Sequence, residues 1–246
     1  MKIVTVIQSR MNSRRLPGKA LLDLRGTSAL QRVLERIKPS KYVQEIYLAT
    51  TADPSDDILE QWAAKNGIKC YRGSTTDVLS SYYQIIKKTG ADGVVRITGD
   101  CPLIDYEIID KVFEAFLAGD CDCATNTTPP TFPDGLDVEI FSSKAIEKSQ
   151  QEAKSDFEKE HINVYIYQNP GIFKIKNVTN EENLSAYRLT LDTPEDKKLL
   201  ESLIGECEKS GKYCHLKEIA EILKNNPSWS DINAKHERNQ GYKIGY

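Results

Sequence analysis

The sequence predicts an α/β fold: a mostly parallel, Rossmann-like sheet flanked by helices, with a small β-rich arm. Three observations predict it. Apolar, β-branched runs such as KIVTVIQS and GVVRIT alternate with amphipathic stretches of ten or more residues, the pattern that right-handed βαβ crossovers produce. The 246 residues are 39% hydrophobic and 28% charged, a composition that suits one globular body with a sizeable core. After Asp120 the alternation breaks once, in a stretch rich in proline and turn residues.

The elements follow in order. KIVTVIQS is a buried strand that runs into a loop rich in Arg, Ser, Pro and Gly. From Ser28, the spacing of Leu30, Val33, Leu34 and Ile37 is helical, since residues three and four apart share a helix face. EIYLAT reads as a second strand, and SDDILEQWAAKNG as a helix capped by Ser55 and stopped at Gly67. IKCYR is a short strand, Asp77 to Thr89 a helix, GVVRIT a strand and Asp105 to Ala118 a helix. CDCATNTTPPTFPDGLDVEIFSS, with its prolines between two strand-like pieces, reads as an excursion, and residues 121–142 as the arm of a single domain spanning 1–246. Helices follow at Ser143–Lys154 and Asp156–Gln168, strands at Ile172–Lys176 and Tyr187–Leu191, then helices at Pro194–Ser210 and Leu216–Asn225 before a polar tail to Tyr246.

Charge and composition exclude several classes. A formal net charge of −3 leaves no global basic field of the kind that non-specific nucleic-acid binding needs, so phosphate recognition must be local. No run approaches the roughly 20 apolar residues of a membrane span. The first apolar run is too short for a signal peptide and its charges follow it, so the cytoplasm is the expected compartment. Six cysteines are present, but Cys121 and Cys123 form a lone C-x-C without a nearby histidine, and structural zinc uses paired clusters. Reduced, unpaired cysteines are expected. The scatter of His161, His215 and His236 argues against histidine-based chemistry.

The residues richest in chemistry lie at 7–26, IQSRMNSRRLPGKALLDLRG. Arg10, Arg14, Arg15 and Lys19 place four cations directly after the first strand, with Ser9, Ser13 and Gly18 keeping the backbone approachable. Strand ends of open α/β sheets are where ligands bind, and free N–H groups with cations suit a polyphosphate. Neither a G-x-x-x-x-G-K-[ST] loop nor a G-x-G-x-x-G turn is present, so a solvated basic loop is the alternative. Asp100 follows GVVRIT and projects from the same sheet edge, or else caps the helix near Asp105. Asp192 ends YRLTL ahead of Thr193-Pro194-Glu195, itself a helix start.

At this point the sequence resembles a known family. IQSRMNSRRLPGKALLDLRG, RGSTTDVLSSYY at 72–83, RITGDCPLID at 96–105, FPDGLDVEIF at 132–141 and LTLDTPEDKKLL at 189–200 are similar, in one order, to the cytidylyltransferases that activate acidic sugars. The likeness is greatest to their spore-coat polysaccharide branch. The resemblance implies the nucleotide-diphospho-sugar transferase type of fold, binding of CTP and a sugar-like acceptor, and release of pyrophosphate with Mg2+ as cofactor. It also implies a homodimer.

By the same resemblance Ser9, Arg10, Ser13, Arg15 and Lys19 bind the triphosphate, with Arg72 and Ser74 at the base; Arg72 pairing with Asp77 or capping the next helix is equally open. Asp100 and Asp192 become metal ligands and, with Lys19, the catalytic set. Asn126, Asp137, Glu139 and Arg188 are acceptor candidates, against a solvated strand face for Asp137 and Glu139. The acceptor stays open among nine-carbon acids, phosphonates and other sugars or polyols. Two rival readings are a metal-dependent glycosyltransferase, for which Asp120-Cys121-Asp122 is a literal D-x-D, and a non-catalytic nucleotide-binding subunit.

Overall fold

A computed structural model describes residues 1–211 and 213–238; the end of the polar tail, to Tyr246, lies outside the described residues. The chain runs β1 (Ile3–Gln8), β2 (Asp23–Leu24), β3 (Thr27–Ser28), α1 (Ala29–Ile37), β4 (Glu45–Thr51), α2 (Asp57–Lys65), β5 (Lys69–Gly73) and α3 (Val78–Thr89). It continues through β6 (Gly93–Thr98), α4 (Tyr106–Leu117), β7 (Cys123–Thr125), β8 (Glu139–Ser142), α5 (Ser143–Glu152), α6 (Asp156–Glu160) and α7 (Val164–Gln168). Last come β9 (Ile175–Asn177), α8 (Pro194–Ser210), α9 (Leu216–Asn225) and α10 (Pro227–Ser230).

Seven strands form the main sheet in the order β5-β4-β1-β6-β8-β7-β9. β5, β4, β1 and β6 are parallel, β8 runs antiparallel between β6 and β7, and β7 pairs parallel with β9. The apolar runs at β1 and β6 are continuous because both faces of the sheet are covered. Val4, Val6 and Val94 bury on the side of α3, α5 and α7, whereas Ile7, Val95 and Ile97 bury with α1, α4, α8 and α9. That period-2 division fixes the register, because a slip of one residue would exchange the two cores.

The segment after Asp120 feeds both of its strands into this sheet, and only residues 126–138 leave it, passing over the edge where β6 ends. Four details differ from the sequence expectations. The 187–191 stretch makes no strand: Leu189 N–H donates to Asp134 O at 2.6 Å and Leu191 N–H to Asp100 O at 2.8 Å. Gly135, at φ +99°, presses so close that a Cβ there would lie 2.5 Å from the Leu189 carbonyl carbon, and the pairing stops at one parallel bridge between Asp134 and Arg188. The helix expected over 156–168 is two, α6 opened by a Ser155–Glu158 capping box and α7 restarted after an extended His161.

Ser55 does not cap α2; Asp53 accepts the Ser55 N–H and starts a tight turn at Pro54–Asp56 that leads into the helix. Finally, Cys207 and Cys214 are joined as a disulfide, against the expectation of six reduced cysteines. Gly211, at φ +64°, reverses the chain after α8 and brings their Cα atoms to 5.5 Å, within bonding range.

Candidate active site

The basic loop after β1 is folded on itself and tied to its neighbours. Met11 O accepts from Ser13 N–H and Gly18 N–H, both at 2.9 Å. Met11 N–H donates to Asp56 Oδ1 at 2.7 Å, and the same buried carboxylate accepts from Thr50 Oγ1, Thr51 N and Thr51 Oγ1 at the end of β4. Asp56 therefore clamps the loop to the sheet's carboxyl edge. Gly18, at φ +74°, then turns the chain into one helical turn beginning at Lys19, which sends that side chain inward.

Lys19 Nζ lies 2.5 Å from Asp100 Oδ2 and 2.7 Å from Asp192 Oδ1. The two aspartates, far apart in sequence, converge because their backbones are joined: Leu191 N–H and Thr190 Oγ1 both donate to Asp100 O. Arg15 Nη2 reaches Asp192 Oδ2 at 2.6 Å, while its Nη1 is buried without a hydrogen-bond partner among the described residues. That unspent donor faces the kind of site an anion fills. Burial alone would lower the Lys19 pKa, but Asp100 and Asp192 raise it above the usual lysine value. Burial opposes charge on Asp192 too, and Lys19 and Arg15 overcome it, holding the carboxyl well below the ordinary range.

Arg188 closes the back of the site. Its guanidinium meets Asp192 at 3.0 Å, Asp134 at 2.8 Å and Asp196 through Nε at 2.9 Å and Nη2 at 3.1 Å. Asp196 is fully buried, accepts the N–H groups of Asp192 and Thr193 as part of the α8 cap, and also meets Asn233. One arginine thus holds three aspartates. Its acceptor-facing role is corrected: the fork is spent inside the protein.

Other expected residues are placed differently. Asn126 has no exposed surface; its amide donates to Leu136 O and accepts from Val138 N–H, bracing the 126–138 loop instead of meeting a substrate. Arg72 donates to the carbonyls of Thr51 and Asp53 and pairs with Asp57 and Glu60 on α2, so it neither caps α3 nor pairs with Asp77. The Ser74 hydroxyl accepts from the N–H groups of Thr76 and Asp77, shaping the turn before α3. Arg10 reaches out to Glu160 at 3.4 Å. Ser9 lies against Gly99, where a Cβ would come within 2.8 Å of its side chain, so β1 and β6 end in close contact.

Glu139 is buried, not on a solvated face: it accepts from Arg96 at 2.5 Å, Asn163 at 2.8 Å and the Tyr167 hydroxyl at 2.6 Å. Asp137 accepts from Arg238. Burial, with Asp134 and Glu139 adding to it, pushes the Asp137 carboxyl up to about 7 against the pull of Arg238. Sequence reasoning missed Asp56, Asp134, Asp196, Asn233 and Arg238. Only Asp196 left a signal, the Thr193-x-x-Asp196 spacing of a helix cap.

Asp100 and Asp192 are the residues suited to a metal. Both already share one cation, the Lys19 ammonium, and one or two carboxylates plus phosphate oxygens and water are the usual donors to magnesium. Among the described residues no group of three or more His, Cys, Asp or Glu is arranged to hold a metal by itself, so the remaining ligands would have to come from the substrate. The D-x-D at Asp120–Asp122 sits where β7 begins, at the opposite edge of the sheet, and its acids meet Lys174. It is a turn, as its position after α4 suggested.

Comparisons with known proteins give the family of the chain. A sequence profile described as cytidylyltransferase matches residues 4–231. The spore coat polysaccharide biosynthesis protein SpsF of Bacillus subtilis is 30% identical over 234 residues, 92% of this chain and 95% of that protein. A cytidylyltransferase from Leptospira borgpetersenii superposes with a TM-score of 0.85 at 39% identity, covering 93% of this chain and 96% of its own. A CMP:2-keto-3-deoxy-manno-octonic acid synthetase complexed with CTP shares the fold, with a TM-score of 0.65 at 21% identity over 84% of this chain and 99% of that one. With its parallel sheet, its cationic loop and a profile match over nearly the whole chain, the protein belongs to the cytidylyltransferase family.

Proposed function

We propose that the Lys19–Asp100–Asp192 constellation carries magnesium-dependent transfer of a cytidylyl group from CTP to a sugar or sugar acid, releasing pyrophosphate, in polysaccharide biosynthesis. The observation that carries this reading is the meeting of one lysine and two aspartates, distant in sequence, beside a cation-rich loop. Lys19 and Arg15 bind the triphosphate and stabilise the charge that builds on the leaving pyrophosphate. The acceptor oxygen forms a bond to the α-phosphorus as the bond to the bridging oxygen breaks in line, and the acceptor's proton passes to water. No side-chain base is needed, so positioning and electrostatics supply the rate.

Asp100 and Asp192 would hold the magnesium ion, which when bound polarises the α-phosphate and lowers the acceptor's pKa. The homodimer and the cytoplasmic location belong to the same proposal and rest on likeness to the family and on the chain's composition; light scattering checks the first. The direct test is Asp100→Asn, assayed by pyrophosphate release. A loss of about hundredfold or more in kcat, with the unfolding midpoint little changed, is expected when one preorganised charge of this kind is removed. Near wild-type turnover in magnesium would overturn the assignment.

A further inference from the structure

A cavity of about 260 Å³ opens beside the end of β6. Four charged side chains line it, and they form two pairs: Arg96 with Glu139, and Arg238 with Asp137. Glu139 is 2% exposed and Arg96 14%, so little of the first pair meets water. The rest of the wall is uncharged: Thr127, Thr128, Asn163 and Tyr167 supply polar groups, and Phe157 and Val164 apolar ones. Thr127 Oγ1 lies 3.1 Å from the Tyr167 hydroxyl, which donates its proton to Glu139 and serves here as an acceptor. The Asn163 side-chain oxygen is buried without a partner among the described residues, an acceptor left for a ligand hydroxyl or water.

We propose that this cavity receives the distal part of the acceptor and selects an uncharged, polyhydroxylated end over one that carries a carboxylate or phosphate. The inference rests on the cytidylyl-transfer reading and narrows its acceptor. An anionic end entering the cavity finds no unpaired arginine or lysine among the described residues. To gain a cation it must displace Asp137 from Arg238 or Glu139 from Arg96, leaving a carboxylate desolvated and unpaired. A hydroxyl-bearing end displaces only water, and the threonine, tyrosine and asparagine groups replace those bonds. The groups facing Asp137 are Arg238, Asp134, Glu139 and Arg96, so above neutral pH its carboxylate is ionised and Arg238 is fully neutralised.

The test measures pyrophosphate release with saturating CTP and magnesium at about pH 8, safely above the Asp137 midpoint. Hexose, octulosonate and nonulosonate probes are each supplied in two forms, one ending in hydroxymethyl and one with that terminus oxidised to carboxylate. Wild type is expected to favour the hydroxymethyl form by about tenfold or more in kcat/KM. Asp137→Asn uncovers Arg238 and should narrow the ratio by improving the carboxylate form. Arg238→Gln removes the one cation that an anionic end could take from Asp137 and should widen it, whether Asp137 stays charged or takes up a proton once the pull of Arg238 is gone. A role in folding alone would move both variants the same way. Equal or better use of the carboxylate form by wild type, or variants that shift the ratio in one direction, overturns the inference while leaving cytidylyl transfer standing. Failure of the protein both to bind CTP and to release pyrophosphate with every probe removes the underlying reading as well.

Discussion

At the scale of single residues, charge networks that look alike serve different ends, and mutation separates them. Lys19 touches both Asp100 and Asp192 at the open edge of the sheet, so Lys19→Ala should lower kcat/KM for CTP by about hundredfold, read in steady-state kinetics. Asp196 is fully buried and holds Arg188 through two bonds. Asp196→Ala strands that guanidinium and should cost about 3–5 kcal/mol of stability, visible as a midpoint lowered by about 10 °C in thermal unfolding. If Asp196→Ala unfolds like wild type, the buried network does not hold α8 to the site. Asp100 and Asp192 stood out in the sequence because each closely follows an apolar run, and Lys19 because it closes a cluster of four cations after β1. Asn126 and Arg188 were read as substrate contacts; their side chains instead satisfy buried backbone and carboxylate groups, a demand that only the folded packing creates.

At the scale of elements, the clamp between the basic loop and β4 decides whether the cations are preorganised. Asp56 accepts bonds from Met11, Thr50 and Thr51 at once. Asp56→Ala leaves several buried donors unsatisfied and should cost about 2–4 kcal/mol, measured by urea unfolding. The surviving folded enzyme should show a raised KM for CTP, since the loop loses its anchor to the sheet. An unchanged KM would mean the loop holds its shape without the clamp. Strands β1 and β6 were readable almost to the residue, because an apolar run covered on both faces has one plausible state. The 187–191 stretch was not: its alternation suits a strand, yet Gly135 presses against its backbone and its N–H groups go to Asp134 O and Asp100 O. The break between α6 and α7 is similar. Asn163 and Tyr167 turn toward buried Glu139, and that pull is absent from any local propensity.

At the scale of the whole molecule, two carboxylates bias stability in opposite directions with pH. The folded state depresses Asp192, so its contribution is present above the ordinary carboxylate range and is lost as the pH falls below it. Asp137 is raised to about 7; the folded state prefers its neutral form, so stability falls as pH rises from the unfolded carboxyl value toward about 7. Compared with Asp137→Asn, wild type should therefore lose unfolding midpoint between about pH 4 and pH 7, a difference that calorimetry across that range checks. Parallel lines for the two proteins would place the Asp137 titration elsewhere. The α/β architecture was legible because alternation of strand and helix is a whole-chain property. The insertion of β8 antiparallel between β6 and β7 was not, since the order of strands across a sheet depends on which faces are left to bury after the first four have paired.

The central claim, a magnesium-assisted site for CTP at Lys19, Asp100 and Asp192, is tested most directly by thermal unfolding with CTP, UTP, GTP, ATP and nucleotide sugars, each with and without magnesium. A ligand at about 100 times its dissociation constant stabilises the fold by roughly 2.7 kcal/mol, or about 5–10 °C for a domain of this size. The account predicts the largest shift with CTP, dependent on magnesium and abolished in Asp100→Asn. A larger shift with a nucleotide sugar, or a CTP shift indifferent to both magnesium and Asp100, would contradict it.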